Sequence, residues 1–226
     1  MSHLIHRTPS ALIKGAAVGN LCATYPQTVY LNMMFTVCQS IKEKNTIVIN
    51  DIQERLNNYN DIKDTNNLIE VNGGILVTIA PLVFSNIYSL SLIDLDQIVK
   101  DTIRTLTDDN SVILCGIEFV HLLHDILFNV FDKDEILKIL PGLDISENEV
   151  VVSDDIRDVF FSALWSFIFS DDFLSAMHRA NSLQGSNAYI SMVTGIIAGL
   201  YYGEEAIPQD MRKTISKHYE IEKYIF

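Results

Sequence analysis

The sequence predicts an all-α protein that folds as one compact domain. Apolar residues recur at three- and four-residue spacing along most of the chain, whereas the strict two-residue alternation of strands is rare. No Pro-, Gly- or Ser-rich linker divides the 226 residues, so we expect a single domain over 1–226. An apolar fraction of 48% with 20% charged residues is enough for a sizeable core and excludes a disordered chain.

The first helices are predicted from periodicity and from one capping segment. Apolar residues at helical spacing predict a helix over 28–41. The segment 107–111, Thr-Asp-Asp-Asn-Ser, supplies capping side chains and negative charge ahead of a long apolar helix over about 111–131. Pro141 and Gly142 predict a break after that helix.

Two acidic pairs predict the starts of the next helices. Asp154 and Asp155 suit the first turn of a helix that runs through Ser170. Asp171 and Asp172 then begin another helix, which we expect to end near residue 181.

The stretch 188–203 is apolar all round. A bilayer span needs about 20 residues, and Gly203 followed by two glutamates closes this stretch earlier, so we predict a buried core helix. Gly195, Gly199 and Gly203 recur at four-residue spacing and leave a smooth stripe on one face. We expect another helix to cross closely there, since each interior glycine otherwise costs about 1 kcal/mol relative to alanine.

Charge and cysteine content restrict the partners and the compartment. The chain carries 16 Lys+Arg against 29 Asp+Glu, a formal net charge of −13, and its basic residues form no run, so we expect no nucleic-acid partner. Cys22, Cys38 and Cys115 are far apart and predict buried thiols in a reducing compartment. The first seven residues lack the apolar stretch of a signal peptide, so we expect a cytoplasmic protein without a membrane partner.

One polar stripe could carry metal chemistry. Glu118, His121 and His124 follow one another at three-residue spacing with Asp125 adjacent, and Glu-x-x-His occurs in di-metal helical bundles. Such bundles need a second copy, which is absent from this sequence, so we predict a solvated or partly buried polar stripe. The sequence also contains no Gly-x-Ser-x-Gly elbow, phosphate-binding glycine loop or His-Glu-x-x-His, which removes the usual support for serine hydrolases and nucleoside triphosphatases.

The order of several segments suggests a family. The final 60 residues contain Val-Thr-Gly-Ile-Ile-Ala-Gly-Leu-Tyr-Tyr-Gly at 193–203 and then Ala-Ile-Pro at 206–208. Together with earlier segments, this series resembles the ADP-ribosylglycohydrolase family from about residue 11 to 216. The matching earlier segments lie at 11–20, 28–41, 73–82, 107–111, 163–169, 173–177 and 181–189.

The resemblance implies a compact orthogonal helical bundle whose two Mg²⁺ ions lie between carboxylates and orient ADP-ribose hydroxyls and a water. The family's first ligand motif is Thr-Asp-Asp-Thr, and the second is Gly-Gly-Asp-x-Asp-Thr. The corresponding positions here are degenerate. In place of the first motif, this sequence has Tyr25, Pro26, Gln27 and Thr28. In the second motif Gly185 is retained, whereas Ser186 and Ala188 replace the two acids and Tyr189 replaces the threonine. We therefore expect no metal site and no cofactor.

Other positions depart from the family in the same direction. An early Gly-Asp of the family corresponds to Gly19 and Asn20 in this sequence. The spacing from this pair to the segment 25–28 is shorter than in the family, which predicts a shortened N-terminal part. Thr78 replaces an expected arginine, and Asp108 replaces an expected histidine.

A rival alignment places the first ligand motif at 107–110. The order of segments argues against it, because this motif precedes the Pro81 segment in the family and would follow it here. We therefore predict that Asp108 and Asp109 form an ordinary acidic helix cap.

These comparisons lead to three hypotheses about function. The first is a catalytically inactive pseudoenzyme that binds an unknown protein partner, or ADP-ribose weakly. The second is an active ADP-ribosyl hydrolase with a remodelled metal site, which would need Mg²⁺ and relocated acids such as Asp108, Asp109, Asp171 or Asp172. The third is a purely structural, crystallin-like protein.

Overall fold

The computed structural model confirms the all-α prediction. Its described residues form eleven α-helices and three 3₁₀ segments, with no strand among them. The described residues are 7–23, 26, 28–59, 73–88, 92–128, 132–139, 150–183 and 188–226. The α-helices are α1 Pro9–Cys22, α2 Thr28–Lys44, α3 Ile49–Asn57, α4 Gly74–Ile79, α5 Leu92–Arg104, α6 Asn110–Phe128, α7 Lys133–Ile139, α8 Ile156–Ile168, α9 Phe173–Ser182, α10 Ala188–Tyr202 and α11 Gln209–Tyr219. The 3₁₀ segments are Ala80–Tyr88, Glu204–Ala206 and Ile221–Lys223.

Local capping explains why the predicted helix starts are confirmed. The Asp155 side chain accepts a hydrogen bond from the backbone N–H of Arg157 and so caps α8. Asp172 and Ser175 form a reciprocal capping box at the start of α9. Helix α8 ends at Ile168, two residues earlier than predicted, and the predicted break at 141–142 lies outside the described residues.

Helices α1 and α10 cross at the centre of the core. A Cβ atom at Gly195 would lie 2.1 Å from the carbonyl oxygen of Gly15, and one at Gly199 would lie 2.4 Å from that of Ala11. The predicted close crossing is confirmed for these two glycines. It is wrong for Gly203, which follows the end of α10 with a φ of 84° and allows the chain to turn into the next 3₁₀ segment.

Helix α6 is the one described helix that is long and apolar enough, by length and composition, to cross a membrane. Its 19 residues include an apolar window of which 61% is buried inside the fold. The predicted core helix α10 has 15 residues and is buried along nearly its whole length. Burial in the protein core therefore accounts for the apolar character of both helices.

The three cysteines are free thiols. Cys38 and Cys115 are buried, as predicted, whereas Cys22 is only half-buried. Burial raises the pKa of the Cys115 thiol to about 12, and it also raises the pKa of Cys38. Both buried thiols are therefore protonated and unreactive at neutral pH.

A lysine on α1 connects the N-terminal and C-terminal parts of the fold. The Lys14 Nζ atom lies 2.8 Å from Glu204 Oε1 and 3.3 Å from Glu222 Oε1, and 9% of its side chain is exposed. The Ser10 hydroxyl donates a hydrogen bond of 2.5 Å to the other carboxylate oxygen of Glu204. Because Lys14 is almost buried, this ion pair is less screened by solvent than a surface pair.

Candidate functional site

The helix starts that carry the two predicted ligand segments lie next to each other. The rings of Tyr30, in the first turn of α2, and Tyr189, in the first turn of α10, meet edge to face with centroids 5.5 Å apart and planes at 89°. A Cβ atom at Gly74 would lie 2.3 Å from the Tyr30 ring, so the lack of a side chain at the start of α4 makes room for that ring. The fold therefore brings together the first turns of α2 and α10, which follow the two segments that the resemblance places in one cleft.

The described residues at the predicted cleft positions differ in exposure. Pro26 and Thr28 are exposed before and at the start of α2. Ala188 is 1% exposed and Tyr189 is 9% exposed at the start of α10. The remaining predicted positions lie outside the described residues, and they are Tyr25, Gln27, Gly185 and Ser186.

Asn20 has a structural contact in this fold. Its side chain is fully buried, and its Nδ2 atom donates a hydrogen bond of 2.9 Å to the hydroxyl of Tyr219 on α11. A Cβ atom at the preceding Gly19 would lie 2.2 Å from the carbonyl oxygen of Ser191, which places Gly19 in the close contact between α1 and α10. Both residues of this pair therefore contribute to helix packing.

Thr78, which stands where the resemblance expects an arginine, is also buried. Its hydroxyl donates a hydrogen bond of 3.4 Å to the carbonyl oxygen of Gly74 within α4. A buried threonine hydroxyl provides no positive charge with which to bind a phosphate group.

The acids Asp108 and Asp109 are exposed at the start of α6. Asp109 Oδ1 accepts hydrogen bonds of 2.7 Å from both the backbone N–H and the hydroxyl of Ser111. The hydrogen bonds from Ser111 lower the pKa of the Asp109 carboxyl. These contacts are those of a helix cap, as predicted.

The polar stripe on α6 separates into independent contacts. His121 Nε2 lies 2.5 Å from Asp96 Oδ1 of α5, and Glu118 Oε2 lies 4.0 Å from an Arg157 nitrogen of α8. His124 is 8% exposed and its ring lies 4.7 Å from that of Phe128. Burial lowers the pKa of His124. The stripe is thus partly solvated and partly buried, in agreement with the prediction.

The described residues do not fit a pair of magnesium ions. No group of three or more His, Cys, Asp or Glu side chains within the described ranges could hold a metal ion. Each Mg²⁺ prefers near-octahedral oxygen coordination that includes carboxylates. At the starts of α2 and α10, the described predicted positions are Pro26, Thr28, Ala188 and Tyr189, none of which carries a carboxylate.

Comparison with known proteins now decides the family. A family model described as ADP-ribosylglycohydrolase matches residues 54–225, which is most of the chain. This chain belongs to the ADP-ribosylglycohydrolase family. The resemblance in the sequence is therefore confirmed at the level of the family.

A solved structure confirms the ADP-ribosylglycohydrolase fold. It is described as an ADP-ribosylglycohydrolase-related protein complex and superimposes with a TM-score of 0.76 over 99% of this chain and 97% of its own. At 18% identity, this likeness establishes the shared fold. No curated protein matches the sequence.

Within the ADP-ribosylglycohydrolase fold, Tyr30 is the residue beside the predicted cleft positions that sequence reasoning missed. Its ring contacts Tyr189, and its position two residues after Thr28 was the available signal. A tyrosine at helical spacing is usually a core residue, so this signal was weak without the tertiary contact.

Proposed function

We propose that this member of the ADP-ribosylglycohydrolase family binds a protein partner, or ADP-ribose weakly, without hydrolysing a glycosidic bond. The observation that carries the proposal is the edge-to-face contact between Tyr30 and Tyr189. By the resemblance, Tyr189 stands where the family has a motif threonine, and the neighbouring Ala188 stands where it has a ligand aspartate.

The chemistry of these side chains argues against metal-assisted catalysis. Metal-assisted hydrolysis needs oxygen ligands that orient the ions and an acidic or basic group that moves a proton. The methyl group of Ala188 supplies neither, and a tyrosine hydroxyl keeps its proton at neutral pH. The buried edge-to-face pair of Tyr30 and Tyr189 contributes packing at these helix starts in place of metal ligands.

The helix caps argue against Asp109 and Asp172 as relocated general acids. Asp109 is engaged by Ser111, and Asp172 is engaged by Ser175. A carboxylate whose pKa is lowered by such hydrogen bonds is a poor general acid, because it gives up its proton well below neutral pH.

Thermal unfolding with and without Mg²⁺ and ADP-ribose tests the proposal. A ligand that binds only the folded state raises Tm, and a concentration of 100 Kd corresponds to about 2.7 kcal/mol of stabilisation. We expect no shift with millimolar Mg²⁺ alone and no release of ADP-ribose from an ADP-ribosylated protein. Mg²⁺-dependent hydrolysis would contradict the proposal, and the absence of any ADP-ribose shift would leave the protein partner as its only ligand.

Restoring the acids tests the alignment on which the proposal depends. We expect the variant Pro26→Asp, Gln27→Asp, Ser186→Asp and Ala188→Asp to bind Mg²⁺ in calorimetry, while the parent does not. The matched control replaces the same four residues with asparagine, which has nearly the same size but no charge. A folded aspartate variant that binds no more Mg²⁺ than the asparagine variant would show that the alignment or the cleft geometry is wrong.

A further inference from the structure

The C-terminal end of α8 is covered by a lysine from α7. The Nζ atom of Lys133 donates hydrogen bonds to the carbonyl oxygens of Phe167, at 2.6 Å, and Ile168, at 3.4 Å, and it donates a third to Ser170. The last carbonyl groups of a helix have no partner within the helix. The three N–H donors of one ammonium group therefore meet three carbonyl acceptors.

Aromatic rings form the sides of this site. The Lys133 Nζ atom lies 4.5 Å from the ring centroid of Phe167 and 5.3 Å from that of Tyr202, within the range of cation–π attraction. The Tyr202 hydroxyl donates a hydrogen bond of 3.1 Å to the Ser170 carbonyl oxygen, which fixes the ring beside the amine. Carbonyl oxygens and aromatic faces together are the chemistry that recognises an ammonium group.

Burial and the charged neighbours act in opposite directions on the pKa of Lys133. Burial lowers the pKa of Lys133 to about 8, although the nearby carboxylates of Asp171 and Asp172 act in the opposite direction. A group with that pKa carries its proton in most molecules at pH 7. Lys133 therefore occupies the site as an ammonium ion at neutral pH.

Helix α7 is short, and several of its described side chains are exposed. It has seven residues, which is too short for a helix that is stable in isolation. Ile136 is fully buried, whereas Asp134, Leu137 and Lys138 are exposed. Lys133 and Ile136 thus both contribute to the position of α7 on the core.

We propose that the C-terminal end of α8 is a binding site for a primary ammonium group, which Lys133 occupies in cis and thereby holds α7 against the core. This inference is independent of the proposed function, because the site lies outside the predicted cleft residues. A primary ammonium from another molecule fits only when Lys133 has left the site.

Chemical rescue tests this site. The substitution Lys133→Ala removes three methylene groups and the ammonium, which are the atoms that n-propylammonium supplies. We expect the variant to have a lower Tm than the wild type at pH 7. Added n-propylammonium chloride should raise the Tm of the variant by about 1–2 °C at a concentration equal to its Kd, relative to the same concentration of sodium chloride. The wild-type Tm should not rise.

Two control variants separate the ammonium site from general effects. Lys133→Met keeps the length of the stem and fills the site, so n-propylammonium should not raise its Tm. Lys138→Ala removes an exposed lysine from the same helix and should leave Tm unchanged. A rescue of equal size in Lys133→Met, or no rescue of Lys133→Ala, would overturn the proposal.

Hydrogen exchange covers the case in which Lys133→Ala does not fold. In Lys133→Met, the amides of α7 should exchange faster than in the wild type, whereas those of α10 should not change. Equal exchange in α7 of both proteins would show that the ammonium group does not hold this helix, and would refute the proposal.

Discussion

Replacing Gly195 by alanine tests how tightly α1 and α10 cross. A Cβ atom at this position would lie 2.1 Å from the carbonyl oxygen of Gly15 and 2.7 Å from its carbonyl carbon. Both are backbone atoms of another helix, so no side-chain rotation can relieve the overlap. The helices would have to separate by more than about 1 Å for the closest distance to reach the ordinary contact of 3.4 Å.

The expected loss of stability follows from two opposing contributions. Overpacking costs about 1–3 kcal/mol, and the upper end applies here because the contact is between two backbones. Replacing a glycine by alanine within a helix returns about 1 kcal/mol. We therefore expect Gly195→Ala to lower the free energy of unfolding by about 2 kcal/mol, which corresponds to a fall in Tm of about 4–8 °C for a chain of this length.

Urea and thermal unfolding followed by far-UV circular dichroism measure this loss. Gly116→Ala in α6 is the matched control, because its Cβ would meet the Cδ1 atom of Ile103 at 2.4 Å, and the end of a flexible side chain can move. We expect the control to stay within about 1 kcal/mol of the wild type. If Gly195→Ala is as stable as Gly116→Ala, the crossing is looser than these distances require and the reasoning fails.

Two further predictions concern a helix cap and a buried ion pair. Thr8→Ala should cost about 1 kcal/mol in urea unfolding, because the Thr8 side chain accepts the N–H of Ala11 at the start of α1. Burial opposes ionisation of Glu204, but hydrogen bonds from Lys14 and Ser10 outweigh this effect and lower the pKa of Glu204. The ion pair therefore stabilises the fold at pH values above 4.5, which is the ordinary pKa of a glutamate. The stability difference between wild type and Lys14→Met should accordingly shrink as pH falls through and below 4.5.

Local signals explain which parts of the fold could be predicted from the sequence. The caps at Asp155 and Asp172 act on backbone groups two or three residues away, so an acidic pair before an apolar run was enough to place α8 and α9. The glycine spacing predicted a close helix crossing at Gly195. It did not identify Gly15 as the partner, because that contact joins residues 180 positions apart and depends on the tertiary fold.

The site at the end of α8 could not be predicted for a related reason. Lys133 stands in a short charged segment that resembles any solvated helix, and nothing nearby in the sequence indicates an ammonium site. Its ligands come from the end of α8, and one of its aromatic walls, Tyr202, comes from the end of α10. Only the packing of these elements creates the arrangement.

Helix α10 connects the rigidity of the core to the properties of the candidate site. Its glycines lie against the backbone of α1, so its first turn, with Ala188 and Tyr189, has little freedom to move. A carboxylate at 188 would be buried there, and a buried charge is strongly destabilising unless it is paired. Metal ligands at this position therefore require their cations for stability. Small and aromatic side chains at 188 and 189 allow the same helix crossing without a metal ion.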